Sequence, residues 1–187
     1  MASIIGTISE YTPKYTVIKA AQKYEIRNYP GMILAQTPYD GDDGTSFRTL
    51  AKYIFGGNAK KEKMAMTAPV TIAPKSEKIE MTAPVLTGPR CMSFVMPPEY
   101  TLETLPTPLD DKVTLTKVDD ETLAVIQFSG WAKKELVENK TKELLSALAA
   151  DGIEPLPNTT PRLAQYNPPW TLPMFRRNEV MMPVPSS

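Results

Sequence analysis

The side chains able to do chemistry in this 187-residue sequence form a short set, because histidine is absent. Without imidazole there is no side chain that ordinarily titrates near neutral pH, no usual zinc ligand and no usual general base. Ser-His-Asp and Cys-His nucleophilic catalysis are therefore excluded. Cys91 is the single cysteine, so the chain has no intramolecular disulfide and no His/Cys cluster with metal-ligand spacing. No G-x-x-x-x-G-K-[ST] phosphate cradle occurs either, since Gly56-Gly57 leads into Asn58. Among the carboxylates Glu179 stands out: it follows Arg176-Arg177-Asn178 and precedes Val180-Met181-Met182, and strand alternation can turn it inward. A carboxylate facing a cavity can bind a cationic ligand or act as a general acid/base, its pKa raised by burial, with Tyr166 or Trp170 beside it. A salt bridge from Glu179 to Arg177 or Arg27 is the plainer reading, and the residue types leave both open.

Charge offers a second chemistry. The 21 basic and 21 acidic residues cancel, which gives no global attraction for nucleic acid or for an anionic membrane. The distribution is uneven, however: Arg48 to Arg90 holds eight basic and three acidic residues, Glu99 to Glu121 seven acidic and two basic. Lys60, Lys61 and Lys63 thus mark a place for an anionic ligand group, set against the bland alternative of a solvated loop.

Positioning these residues falls to elements that recur. Tyr24–Tyr29 alternates as a strand, Pro30-Gly31 turns, and Met32–Ala35 opens the next strand. After the Asp40–Gly44 turn, Thr45 or Ser46 caps a helix carrying Phe47, Leu50, Ala51 and Ile54 on one face, stopped by Gly56-Gly57-Asn58. Two copies of E-K-x-x-M-T-A-P-V follow, Glu62–Val70 and Glu77–Val85, whose prolines predict edge or bulged strands near each other. Arg90–Met96 closes the cycle. Strands at Val113–Val118 and Thr122–Phe128, a helix over Ala132–Ala150 with a Val137, Thr141, Leu144, Leu145, Leu148 stripe, and strands at Arg162–Asn167 and Asn178–Val184 repeat the order. The expectation is an α+β architecture: two fused halves, about 15–98 and 112–184, forming one antiparallel sheet or barrel with one flanking helix per half. Residues 1–14 read as an N-terminal extension, 15–187 as a single domain, and Thr101–Leu109 as the linker. A ligand cleft is expected between the halves. Asn167–Pro173 is a stiff proline-rich loop presenting Trp170, suited to binding or to plugging one end of the barrel.

No basic n-region precedes a long apolar run, and no stretch approaches the roughly 18 apolar residues of a spanning helix. A soluble, cytoplasmic protein without membrane insertion is expected. Asn139-Lys140-Thr141 and Asn158-Thr159-Thr160 spell glycosylation acceptors that matter only in a secreted chain.

Six ordered motifs resemble the SOUL/haem-binding protein family: Tyr24-Glu25-Ile26-Arg27-x-Tyr29, Tyr53–Asn58, the doubled Met-Thr-Ala-Pro-Val, Phe94-Val95-Met96-Pro97, Tyr166–Trp170 and Arg176–Val180. The resemblance covers Tyr15 to Val184. It implies a distorted antiparallel β-barrel of two pseudo-symmetric halves with two flanking helices, and a half-domain plan similar to GyrI-like small-molecule binders. It also implies binding of haem or another tetrapyrrole in buffering, transport or signalling. Where relatives carry an axial histidine, in the Y-E-I-R-x-Y strand, this chain has Asn28, a poor ligand. Cys91, ten methionines and eight tyrosines are the substitutes on offer. The resemblance therefore points to a planar hydrophobic ligand held by apolar contact from Met64, Met66, Met81 and Trp170. Lys60, Lys61, Lys63, Arg176 or Arg177 would meet its propionates. For each methionine, ordinary core packing competes with that role. Leu144–Gly152 faintly resembles a helix-in-groove motif of a relative, which an amphipathic helix on its own sheet explains equally well.

Overall fold

A computed structural model describes residue 8 and residues 10–74, 90–168 and 170–186. Met81 and the whole second Met-Thr-Ala-Pro-Val copy lie outside the described residues. The elements run β1 (Thr16–Ala20), β2 (Glu25–Tyr29), β3 (Met32–Tyr39), α1 (Asp43–Ile54), β4 (Val70–Pro74), β5 (Arg90–Val95), β6 (Thr114–Val118), β7 (Glu121–Phe128), α2 (Lys134–Ala150), β8 (Arg162–Gln165) and β9 (Asn178–Pro183), with a 3-10 turn at Pro173–Phe175. All strands join one antiparallel sheet of order β1-β2-β7-β9-β8-β4-β5-β3-β6.

Without β1, that order has an internal symmetry. Exchanging β2 with β6, β3 with β7, β4 with β8 and β5 with β9 converts it into its own reverse. The first strand of each cycle pairs with the second strand of the other, β2 with β7 and β6 with β3. The sheet has two ends, β1 and β6, and no ladder among the described residues joins them. It is therefore open where a closed barrel was expected.

One helix packs on each wing of the sheet. Leu144 and Leu148 of α2 are fully buried against Ile26, Ala124, Ile126, Val180 and Met182 of β2, β7 and β9. Leu50, Tyr53 and Ile54 of α1 meet Ala35, Met92 and Phe94 of β3 and β5. Each such leucine contributes about 1.5–3 kcal/mol by leaving water. Asp42 caps α1, accepting from the Gly44 N–H at 2.9 Å and from the Thr45 hydroxyl, so the helix begins earlier than Thr45 or Ser46 as cap would allow. Gly152, at φ 69°, ends α2, and the Ile153 N–H returns to the Leu148 carbonyl at 2.9 Å. Leu145 stands off the α2 stripe at 36% exposure.

The first Met-Thr-Ala-Pro-Val copy differs from its expectation. Only its Val70 enters a strand, and β4 lies inside the sheet between β5 and β8. Pro69 sits just before the ladder begins, where a missing N–H costs no strand pairing. Among the described residues no helix is long and apolar enough to cross a membrane.

Candidate functional site

Alternation along β2 sends Ile26 toward α2 and Arg27 and Tyr29 to the opposite, inner face. β9 does the same with Val180 and Glu179, and β7 lies between the two strands. Arg27 and Glu179 consequently meet across β7: Arg27 Nη1 donates to Glu179 Oε1 at 2.9 Å. Arg177 Nη2 and Nε donate to the same oxygen at 2.7 and 3.0 Å, and the Tyr166 hydroxyl donates to Oε2 at 2.6 Å. Arg27 also donates to the Tyr29 hydroxyl at 3.2 Å and, through Nε, to Glu25 at 2.7 Å. Glu179 has no exposed surface. Both of its oxygens are engaged, and among the described residues no buried side-chain nitrogen or oxygen lacks a partner.

Electrostatics follow from that geometry. Burial works to lower the Arg27 pKa, but the Glu179 charge and the bonds to Tyr29 and Glu179 override it and leave it raised. Arg177 is raised in the same way. Burial pushes the Tyr29 phenol up to about 12, and burial with the Glu179 charge raises Tyr166 further. The cluster thus holds Glu179 as the counter-ion of two arginines, the salt bridge weighed as the plainer reading. Tyr15 covers it from outside: its ring lies 5.2 Å from that of Tyr29 and 4.3 Å from the Arg27 guanidinium carbon.

Next to this face, past the Pro30-Gly31 turn, a cleft of about 530 Å³ opens. Met32 belongs to both, packing against the Tyr29 and Tyr166 cluster while lining the cleft. Ile33, Met96 and Tyr100 supply further apolar wall, and Lys14 and Lys117 are exposed at its margin together with Glu103. Register brings Lys117 opposite Ile33 on β6 and β3. Tyr11, which pairs with Thr67 and accepts from the Ala68 N–H at 2.8 Å, completes the wall. A volume of this size lies in the range of small-molecule sites. A smaller pocket of about 310 Å³ lies between the β1–β2 turn and the end of α2, near Lys23, Glu143 and Asp151.

Among the described residues, those singled out in the sequence fall into five places. Met64 is buried in the α1 core, with Met66 packed against that core, and Met96 joins it to the cleft wall. Lys60, Lys61 and Lys63 are exposed on a turn behind the cleft: Lys60 donates to the Thr104 carbonyl at 3.1 Å, and Glu62 accepts from the Tyr100 hydroxyl at 2.7 Å. Tyr166, Arg177 and Glu179 form the buried cluster. Trp170 is 60% exposed, and Arg176 stacks 3.8 Å from the Trp131 ring centroid, on a separate surface. Asn28 lies apart from all of these, donating to the Thr122 hydroxyl at 3.4 Å. Lys14, Met32, Tyr100 and Lys117 escaped sequence reasoning. Lys117 carried the one available signal, as one of two cations in an otherwise acidic stretch.

An open antiparallel sheet whose order without β1 maps onto its own reverse, with one helix on each wing and a cleft beside the inner face, defines an α+β fold. The chain matches the SOUL heme-binding protein family over residues 10–183 and belongs to that family. It is 30% identical over 166 residues to heme-binding protein 2 of Homo sapiens, covering 85% of this chain and 77% of that protein. To heme-binding protein 1 of Xenopus tropicalis it is 29% identical over 162 residues, covering 84% and 81%. Among solved structures, an uncharacterized conserved protein from Listeria innocua shares the fold with a TM-score of 0.61 at 12% identity, covering 88% of this chain and 93% of that one.

Proposed function

We propose that this protein binds haem or a related tetrapyrrole in the cleft beside Met32, without a histidine axial ligand, in buffering, transport or signalling. The carrying observation is the 530 Å³ cleft, apolar in its wall and edged by Lys14 and Lys117, in a chain of the SOUL family. Its residues fit such a ligand: methionine and tyrosine side chains match a flat apolar ring, and the two ammonium groups match propionates. Met64 and Met66 back the wall from the core, and Lys60, Lys61 and Lys63 add positive charge behind it. Cys91 is buried in β5, where Gln36 Nε2 donates to its sulfur at 3.6 Å, so the thiol belongs to the sheet and not to the cleft.

In this reading the chain is two fused halves, about 15–98 and 112–184; the exchange symmetry of the strand order without β1 supports it, and the cleft lies beside the pairing of β6 with β3. The cytoplasm suits a chain whose single cysteine is buried and which therefore carries no intramolecular disulfide. Catalysis or ligand binding by Glu179 would require it to leave Arg27 and Arg177, so its role in this reading is to hold the inner face together. Titrating the full chain with haem and following the Soret band tests the proposal. A dissociation constant below about 10 μM, near 7 kcal/mol, is expected, and no binding at that level overturns it.

A further inference from the structure

Five large apolar side chains stand exposed together, away from the cleft: Trp131, Trp170, Leu172, Met174 and Phe175, at 49, 60, 44, 70 and 44% exposure. The backbone under them is fixed. The Gly130 N–H donates to the Pro173 carbonyl at 2.8 Å, the Phe175 N–H to Leu172 at 3.0 Å and the Arg176 N–H to Pro173 at 3.1 Å. Asn178 Nδ2 donates to the Gly130 carbonyl at 2.9 Å, and Arg176, stacked on Trp131, ties the two segments into one platform. A chain that exposes five large apolar side chains on two segments tied together by hydrogen bonds and a cation–ring contact presents a surface suited to contact.

Charge and chemistry select the partner. No acidic residue occurs between Glu121 and Glu135 or between Glu154 and Glu179. Lys133 and Lys134 are exposed next to Trp131, and Arg176 adds a third cation; Glu135 and Glu138, which lies 3.9 Å from Lys134, begin only along α2. Aromatic and aliphatic tips bordered by cations match the boundary between acyl chains and anionic headgroups. We propose that this platform rests on the surface of an anionic phospholipid bilayer, its five apolar tips in the headgroup boundary and Lys133, Lys134 and Arg176 against headgroup charge. The contact is peripheral and leaves the cleft free.

Trp131 and Trp170 are the only tryptophans in the sequence, so intrinsic fluorescence reports on the platform. The full chain is mixed with phosphatidylcholine vesicles, with or without about 30% phosphatidylserine, at about 0.1 M salt. The expected result is flotation with the anionic vesicles, a blue shift, and quenching by brominated acyl chains. Leu172→Ser/Met174→Ser and Lys133→Glu/Lys134→Glu, at exposed positions that keep the parental urea midpoint, should each weaken partitioning about tenfold. No partitioning up to about 1 mM lipid, or partitioning indifferent to both double variants, overturns the proposal. So does tryptophan fluorescence that shows no response to the anionic vesicles.

Discussion

Arg27 and Glu179, 152 residues apart in the chain, meet at 2.9 Å across β7 with the carboxylate fully out of water. The contact joins the first strand of one cycle to the last strand of the other, and Arg177 and Tyr166 complete the carboxylate's partners. Breaking a buried pair leaves an uncompensated charge, so Arg27→Met and Glu179→Gln should each cost about 3–5 kcal/mol in urea unfolding. Their double variant should lose less than the sum, by about 0.5–3 kcal/mol. Strict additivity would mean that the two side chains do not depend on each other.

Alkaline pH should unfold the chain through buried phenols. Burial raises Tyr29 from 10 to about 12, so the folded state keeps a proton that the unfolded chain releases earlier. The associated stability is complete below pH 10 and is lost as pH climbs toward 12, about 2–3 kcal/mol in all. Unfolding free energies from pH 9 to 11.5 should fall, and Tyr29→Phe should make the fall shallower. A flat profile would place Tyr29 in contact with solvent.

Two glycines separate steric from conformational effects. A Cβ on Gly57 would lie 2.6 Å from the Lys52 carbonyl oxygen, a main-chain atom that cannot swing aside. Gly41, at φ +106°, has nothing within 4 Å and would suffer backbone strain alone. Gly57→Ala should cost about 1–3 kcal/mol and more than Gly41→Ala. Urea midpoints check the order, and the reverse order would show that the α1 exit is loosely packed.

Much of this architecture was legible in the sequence because it was written twice, and both helices and seven of the nine strands among the described residues lie close to where periodicity put them. β1 escaped because all five of its residues are exposed, so no buried face imprints an alternating pattern on Thr16–Ala20. Asp42 was hidden as a cap by its acidic turn, where Asp40, Asp42 and Asp43 look equivalent until one accepts the Gly44 N–H. The ion pair of Glu179 could be named from residue types, but its completeness could not. The cleft was the least legible part. Lys14, Met32, Met96 and Lys117 are ordinary where they stand, and only the β3–β6 register and the Tyr11–Thr67 pairing gather them.

The cleft's two cations carry a specific expectation. Lys14→Glu and Lys117→Glu replace attraction for a propionate by repulsion at exposed positions, and each should weaken haem binding about five- to tenfold, more at low salt. Lys23→Glu, at the smaller pocket, should leave haem affinity unchanged. Equal losses from all three would locate the ligand elsewhere.

The most direct measurement is a parallel titration with haem and with metal-free protoporphyrin. With no histidine in the chain and the ligand held by apolar wall and ammonium groups, the two affinities should agree within about threefold, each with a dissociation constant below about 10 μM. Binding of haem alone, with a sharp Soret shift marking coordinated iron, would contradict the account, as would failure of both to bind.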